Sequence, residues 1–239
     1  MNQKIKQLTA EVWTEQLLGQ YLLFGLLGKL LYSIPDKALL NQVIEGDLFD
    51  EAPFATDNPD VAEGLTLLQQ WREQYQQPAK HEEVLIKAQV DYMRLFALTE
   101  RLPLAPWESF YGNDERLLFQ ESMLDVRHWY ARFGLELVNA HREPDDHIGL
   151  ELLFMGHLAQ LGLKAVEEGN TLNLEQVLAA QRGFLTNHLL KWAPRWCDQM
   201  VQHARTDYYR GLALVVRGAL LALSQLLQVE APVAEAARS

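Results

Sequence analysis

Glu143-Pro144-Asp145-Asp146-His147-Ile148-Gly149-Leu150-Glu151 sets a proline, four carboxylates and a histidine directly in front of a long apolar run. Proline is favoured at the first position of a helix, where its missing N–H costs nothing, and acidic residues just behind it face the positive end of the helix dipole. The stretch is therefore expected to open a helix at Pro144. Residues four apart return to one helical face, so His147 and Glu151 are expected to meet there, with Asp146 beside them in the first turn. Such a cluster suits the capture of a charged group, and it equally suits an ordinary capped helix with a surface ion pair.

Outward from this stretch, helix periodicity dominates. Leucine occurs more than twice as often as isoleucine and valine together, and straight-chain helix formers outweigh the β-branched residues that sheets favour. The expected fold class is all-α: a single helical domain of about ten helices, arranged as two lobes joined by a hinge near residues 134–143. In this division residues 1–133 form an N-terminal lobe, 134–228 the hinge and C-terminal lobe, and 229–239 a frayed tail.

On the N-terminal side, Thr9 is expected to cap a helix running to Tyr32, and Pro35 to start a short helix ended by Gly46. Residues 46–60 are rich in Asp, Pro and Asn, with Phe49 and Phe54 among them. This reads as an ordered acidic loop beside a binding groove. Helices follow over about 60–77, 82–98 and 114–133, the last ended by Gly134. Between them Leu102-Pro103-Leu104-Ala105-Pro106-Trp107-Glu108-Ser109-Phe110-Tyr111-Gly112 is apolar yet barred from helix by its prolines, so it must be covered or bind something. Beyond the hinge, the helix from Pro144 is expected to end near Gly169, Asn173 to cap the next, Pro194 and Trp196 to mark a turn, and Asp207 to begin a last helix to about Gln228.

The formal net charge of -11 disfavours nucleic acid, which needs a basic face, and tolerates a cationic partner. The single cysteine, Cys197, excludes an internal disulfide and fits a reducing compartment. The first residues lack the continuous apolar core of a secretion signal, and Leu17 to Leu31 is too short for a membrane span, so a cytoplasmic protein is expected. None of the histidines has zinc or di-iron spacing, no Gly-x-Ser-x-Gly elbow occurs, and no metal or catalytic nucleophile is expected. The chain is not expected to be an enzyme.

Three motifs carry a family resemblance. Asp91-Tyr92-Met93-Arg94-Leu95-Phe96, then Pro106-Trp107-Glu108-Ser109-Phe110-Tyr111, then Glu143-Pro144-Asp145-Asp146-His147-Ile148 resemble, in order and spacing, the TorD/DmsD family of cytoplasmic maturation chaperones. The resemblance implies a chaperone that binds the twin-arginine signal peptide and the body of a molybdopterin oxidoreductase precursor, holding it for cofactor insertion before export. It places signal-peptide and client contacts on Pro106, Trp107, Glu108, Ser109, Tyr111, Pro144, Asp146 and His147, to which the helix spacing adds Glu151. It implies no cofactor of the chain's own, although some relatives bind guanine nucleotide weakly, and a monomer or a domain-swapped dimer. Two alternatives stand beside it: a helical adaptor that binds a folded partner without reading a signal peptide, and a small helical enzyme using Asp146, His147 and Glu151.

Overall fold

The computed structural model describes residues 8–97, 104–111, 121–136 and 144–229. Nine α-helices form among the described residues: α1 (Ala10–Tyr32), α2 (Lys37–Glu45), α3 (Pro59–Tyr75), α4 (His81–Tyr92), α5 (Glu121–Arg132), α6 (Ile148–Glu167), α7 (Thr171–Phe184), α8 (Leu190–His203) and α9 (Asp207–Leu227). No strand forms among the described residues, and the fold is all-α as expected.

Local chemistry sets most helix starts. Thr9 accepts from the Val12 N–H, Asp36 from Ala38 and Leu39, and Asn58 from Asp60 and Val61 with Pro59 next to it at the first helical position. Each side chain satisfies N–H groups that the first turn leaves without an internal partner. Three expectations are corrected. The short helix begins after Asp36 and not at Pro35, because the carboxylate supplies the cap that proline cannot. Asn170, not Asn173, caps α7, its side chain accepting from the Asn173 N–H at 3.1 Å, directly after Gly169 has ended α6 in the left-handed region at φ 63°. Pro194 and Trp196 lie inside α8 and make no turn. α7 and α8 are continuous through a π-helical turn at Leu185–Leu189, and Pro194 lies five residues beyond that turn, inside α8.

Two close crossings organise the bundle. α1 packs along α6 and α3 along α9, and at each crossing two glycines face each other. A Cβ at Gly28 would lie 2.7 Å from the Gly149 carbonyl, and a Cβ at Gly211 would lie 2.7 Å from the Gly64 carbonyl. Around these contacts Leu27, Leu152, Met155 and Leu158 fill one layer and Leu68, Trp71, Leu212 and Val215 the other. Each such side chain contributes about 1.5–3 kcal/mol on burial. α9 is long and apolar enough to cross a membrane by length and composition, but two thirds of its most apolar window is buried inside the fold.

The glycine contacts make a prediction with opposite signs. Gly211→Ala is expected to push α3 from α9 and cost about 1–3 kcal/mol by overpacking. Gly25→Ala, on the outer side of α1 where an added Cβ meets nothing within 4 Å, is expected to gain about 0.5–1 kcal/mol from helix propensity. Chemical denaturation of both variants checks this.

The hinge expected at 134–143 is described only to Glu136; residues 137–143, like the tail at 230–239, lie outside the described residues. Gly134, with φ 78°, follows the end of α5 as expected.

Candidate functional site

The site is a seam between the 104–111 segment and the start of α6. The Ile148 N–H donates to the Pro106 carbonyl at 2.8 Å and the Glu108 N–H donates to the Asp146 carbonyl at 3.0 Å. These form an isolated antiparallel bridge between Trp107 and His147. The prolines that bar helix thus leave an extended strip whose carbonyl satisfies the first N–H of α6. The chain then turns into a short 3-10 helix, Glu108–Phe110. This turn aims the Ser109 N–H at Asp146 Oδ2, 2.7 Å away.

α6 begins at Ile148, four residues later than the proline suggested, because His147 takes the capping position. Its Nδ1 accepts from the Gly149 N–H at 3.0 Å, which requires the tautomer with the proton on Nε2. Burial holds the His147 ring neutral, lowering its pKa from 6.5 to about 3.

The expected side-chain pairing of His147 with Glu151 gives way to other partners. Glu151 lies one turn into α6, and its Oε2 accepts from the Trp192 indole N–H at 3.2 Å. The Glu108 carboxyl lies close to it from the segment. Burial, with the Glu108 and Asp146 carboxylates close by, raises the Glu151 pKa well above the ordinary range. Burial also raises Asp146, against the pull of the Ser109 hydrogen bonds. On the far side of Glu108, its Oε2 stands 2.8 Å from His188 Nδ1, whose Nε2 is 3.2 Å from Asp125 Oδ2 on α5. Asp145 is paired with Arg127 of α5, and the Tyr130 hydroxyl donates to the Asp145 carbonyl at 3.0 Å.

All nine predicted residues therefore meet at this seam, but in two different environments. Pro106, Glu108, Ser109, Asp146, His147 and Glu151 are buried, while Trp107, Tyr111 and Pro144 are half-buried. Tyr111 stacks on Trp192 with centroids 5.3 Å apart, and Pro144 accepts from the His147 N–H at 3.2 Å. The carboxylates do not form a solvent-facing rim. They tie the segment to α6, and the helix spacing that suggested a charged surface cluster could not show that the segment would cover it. The same arrangement disfavours acid–base chemistry through Asp146, His147 and Glu151, since the imidazole lone pair on Nδ1 is occupied by the Gly149 N–H and the ring is held neutral.

Sequence reasoning missed Asp125, Arg127, His188 and Trp192, which lie far along the chain from the residues they contact and share no spacing pattern with them. It quoted Asp91 without its task. The Asp91 carboxylate is buried; its Oδ2 accepts from the Arg205 and Thr206 N–H groups at 2.8 and 2.9 Å and from the Thr206 hydroxyl at 2.9 Å, while Arg94 holds Oδ1 at 2.7 Å. Thr206 is the residue preceding α9, so this first motif fixes where α9 starts. Among the described residues no group of three or more His, Cys, Asp or Glu side chains is placed to hold a metal ion.

The seam gives a site prediction. Asp146→Asn retains an oxygen for the Ser109 N–H and is expected to change stability by less than about 1 kcal/mol, because the carboxylate it replaces is already disfavoured by burial. Asp146→Ala leaves that N–H without its acceptor and is expected to cost about 1–3 kcal/mol. Thermal melts of the two variants check this ordering.

A family model described as "Nitrate reductase delta subunit" matches residues 56–198, which enclose the whole seam. The chain is 33% identical to the Tat proofreading chaperone DmsD of Salmonella typhi over 126 residues, 53% of this chain and 55% of that one. It is 31% identical to the probable Tat proofreading chaperone DmsD of Haemophilus influenzae over 124 residues, 52% of this chain and 54% of that one. It is 26% identical to the chaperone protein TorD of Vibrio cholerae over 166 residues, 70% of this chain and 69% of that one. The chain spans about half the length of the DmsD relatives it matches.

Proposed function

Because the chain belongs to the nitrate reductase delta subunit family, with chaperones of the TorD and DmsD type among its relatives, we propose that it is a cytoplasmic maturation chaperone. Its client is the precursor of a molybdopterin oxidoreductase, bound through the twin-arginine leader and the body of the enzyme, and held until the cofactor is inserted. The observation that carries this reading is the match itself: it encloses the seam, and the relatives it leads to are named as proofreading chaperones.

Within the reading, the seam residues divide by burial. The half-buried Trp107, Tyr111 and Pro144 offer the edge that a client touches. Glu108, Ser109, Asp146, His147 and Glu151 hold that edge in place. An indole and a phenol bury much apolar area at small conformational cost, which suits a flexible, partly apolar peptide. The reading needs no cofactor of the chain's own, and it works for a monomer or for a dimer formed by exchange of helices.

The test is export in cells. Deleting the gene is expected to leave at least one molybdopterin oxidoreductase unexported or exported without cofactor, with activity restored by the intact gene and not by one carrying Trp107→Ala and Tyr111→Ala together. Normal cofactor content and export of every such enzyme in the deletion strain would refute the reading.

A further inference from the structure

A surface helix of a globular protein normally shows one apolar stripe, yet α1 shows two. Leu17, Phe24, Leu27 and Leu31 face the core. On the opposite side Leu18 and Leu22 stand 45% and 49% exposed, and Leu48, from the acidic loop, stands 46% exposed near them. Leu22, Gly25, Leu26, Leu48, Leu153 and Gly156 line one groove between α1, α2 and α6. A Cβ built on Gly25 would meet nothing within 4 Å, so the groove is hollow where a side chain would otherwise fill it. A contiguous exposed apolar strip marks an interaction surface, where scattered single residues would not.

The loop that supplies Leu48 also sets the charge of this surface. Asp47, Asp50 and Glu51 are exposed on it. Arg72 of α3 anchors the loop through Asp50 at 2.5 Å and Asp47 at 3.9 Å. Lys29 is the lysine or arginine lining the groove. An apolar trough beside an acidic loop complements a segment with an apolar run and a cationic end. A second copy of this chain fits less well, because a two-fold interface centred here would bring two acidic loops toward each other in a chain already carrying -11.

We propose that this groove receives the apolar middle of the client's leader, with the leader's basic start against Asp47 and Glu51 on the neighbouring loop. The proposal rests on the reading of the chain as a leader-binding chaperone and assigns the leader a surface distinct from the buried carboxylates of the seam. The leader lies along the outer face of α1, and α6 supplies the far wall. Since Leu153 and Gly156 follow the seam's Glu151 on the same helix, one client can engage both places.

The probe is a synthetic leader peptide with an Arg-Arg pair ahead of an apolar run, titrated into the full chain by calorimetry, with melting curves and light scattering on every variant. Leu22→Asp places a charge in the trough and Gly25→Leu fills it; Leu22 is exposed and a Cβ at Gly25 meets nothing within 4 Å, so native melting is expected. Each is expected to weaken the leader by roughly tenfold or more, the loss of one large buried apolar contact. Asp47→Asn combined with Glu51→Gln is expected to weaken it severalfold at low salt and little at high salt, since surface charge is screened. If the wild type binds the leader and all three variants bind it equally, the groove assignment is wrong and the chaperone reading stands. If the wild type binds no leader, both fall. If Leu22→Asp instead splits a dimer into monomers, the groove is an interface between copies and the assignment to the leader is overturned.

Discussion

Asp91→Ala is expected to be the most damaging single substitution outside the apolar core, with a loss of about 3–5 kcal/mol. One buried carboxylate accepts from two N–H groups and a hydroxyl at the start of α9 and binds Arg94 on its other oxygen. Removing it strands the Arg205 and Thr206 N–H donors and leaves the partly buried Arg94 guanidinium with the His203 carbonyl but no counter-charge. Domains of this kind have about 5–15 kcal/mol of stability in all, so the loss takes a large share. Asp91→Asn keeps one accepting oxygen and is expected to cost less than the alanine. Urea titrations of the two variants measure the difference. A loss below about 1 kcal/mol for Asp91→Ala would mean that α9 starts where it does for other reasons.

Stability is expected to peak on the acid side of neutrality, because two buried groups of the seam pull in opposite directions. His147 has a folded-state pKa lowered from 6.5 to about 3. The unfolded chain therefore takes up a proton there below pH 6.5 that the folded chain refuses, and stability falls as pH drops from 6.5 toward 3. Glu151 has a folded-state pKa raised well above 4.5. The folded chain keeps a proton there that the unfolded chain releases, so its stabilisation is complete below pH 4.5 and is lost as pH rises toward the folded value. Asp146, raised from 3.8, has the same sign as Glu151. Glu151 and Asp146 oppose the His147 slope, which ends near pH 6.5, and each group contributes up to about 1.4 kcal/mol per pH unit while it titrates. His147→Gln is expected to flatten the acid limb and Glu151→Gln the alkaline limb, each leaving the other limb in place. Melting temperatures from pH 3 to pH 9 check this. A Glu151→Gln variant with an unchanged alkaline slope would show that this carboxyl is not the proton holder.

Periodicity carried the fold because each long helix buries a leucine-rich stripe that recurs every three or four residues, and that signal is local. Caps were legible where an oxygen-bearing side chain stands directly before the stripe, as at Thr9. They were misread where proline drew attention from its neighbour, at Pro35 and Pro144. Pro194 misled for a different reason, since the helix continues through it. The seam was legible as a set of residues but not as an environment. Nothing in the spacing of Asp146, His147 and Glu151 says that the 104–111 segment will lie over them, because that covering depends on Asp125, Arg127, His188 and Trp192, contributed by α5, the π-helical turn and α8. The second apolar stripe of α1 was not legible: the stretch from Leu17 to Leu31 reads as a helix buried all round, whereas Leu18 and Leu22 on it face solvent.

If this chain reads a twin-arginine leader, calorimetry of the intact chain with such a peptide is expected to show binding in the micromolar range or tighter, about -8 kcal/mol. Affinity is expected to fall in part when the Arg-Arg pair becomes Lys-Lys, because lysine cannot match the bidentate geometry of a guanidinium on a carboxylate, and salt is expected to weaken it only in part, because apolar burial is not screened. Absence of heat with leaders from every molybdopterin oxidoreductase of the native cell, from a sample whose melting curve shows it folded, would refute leader binding by this chain.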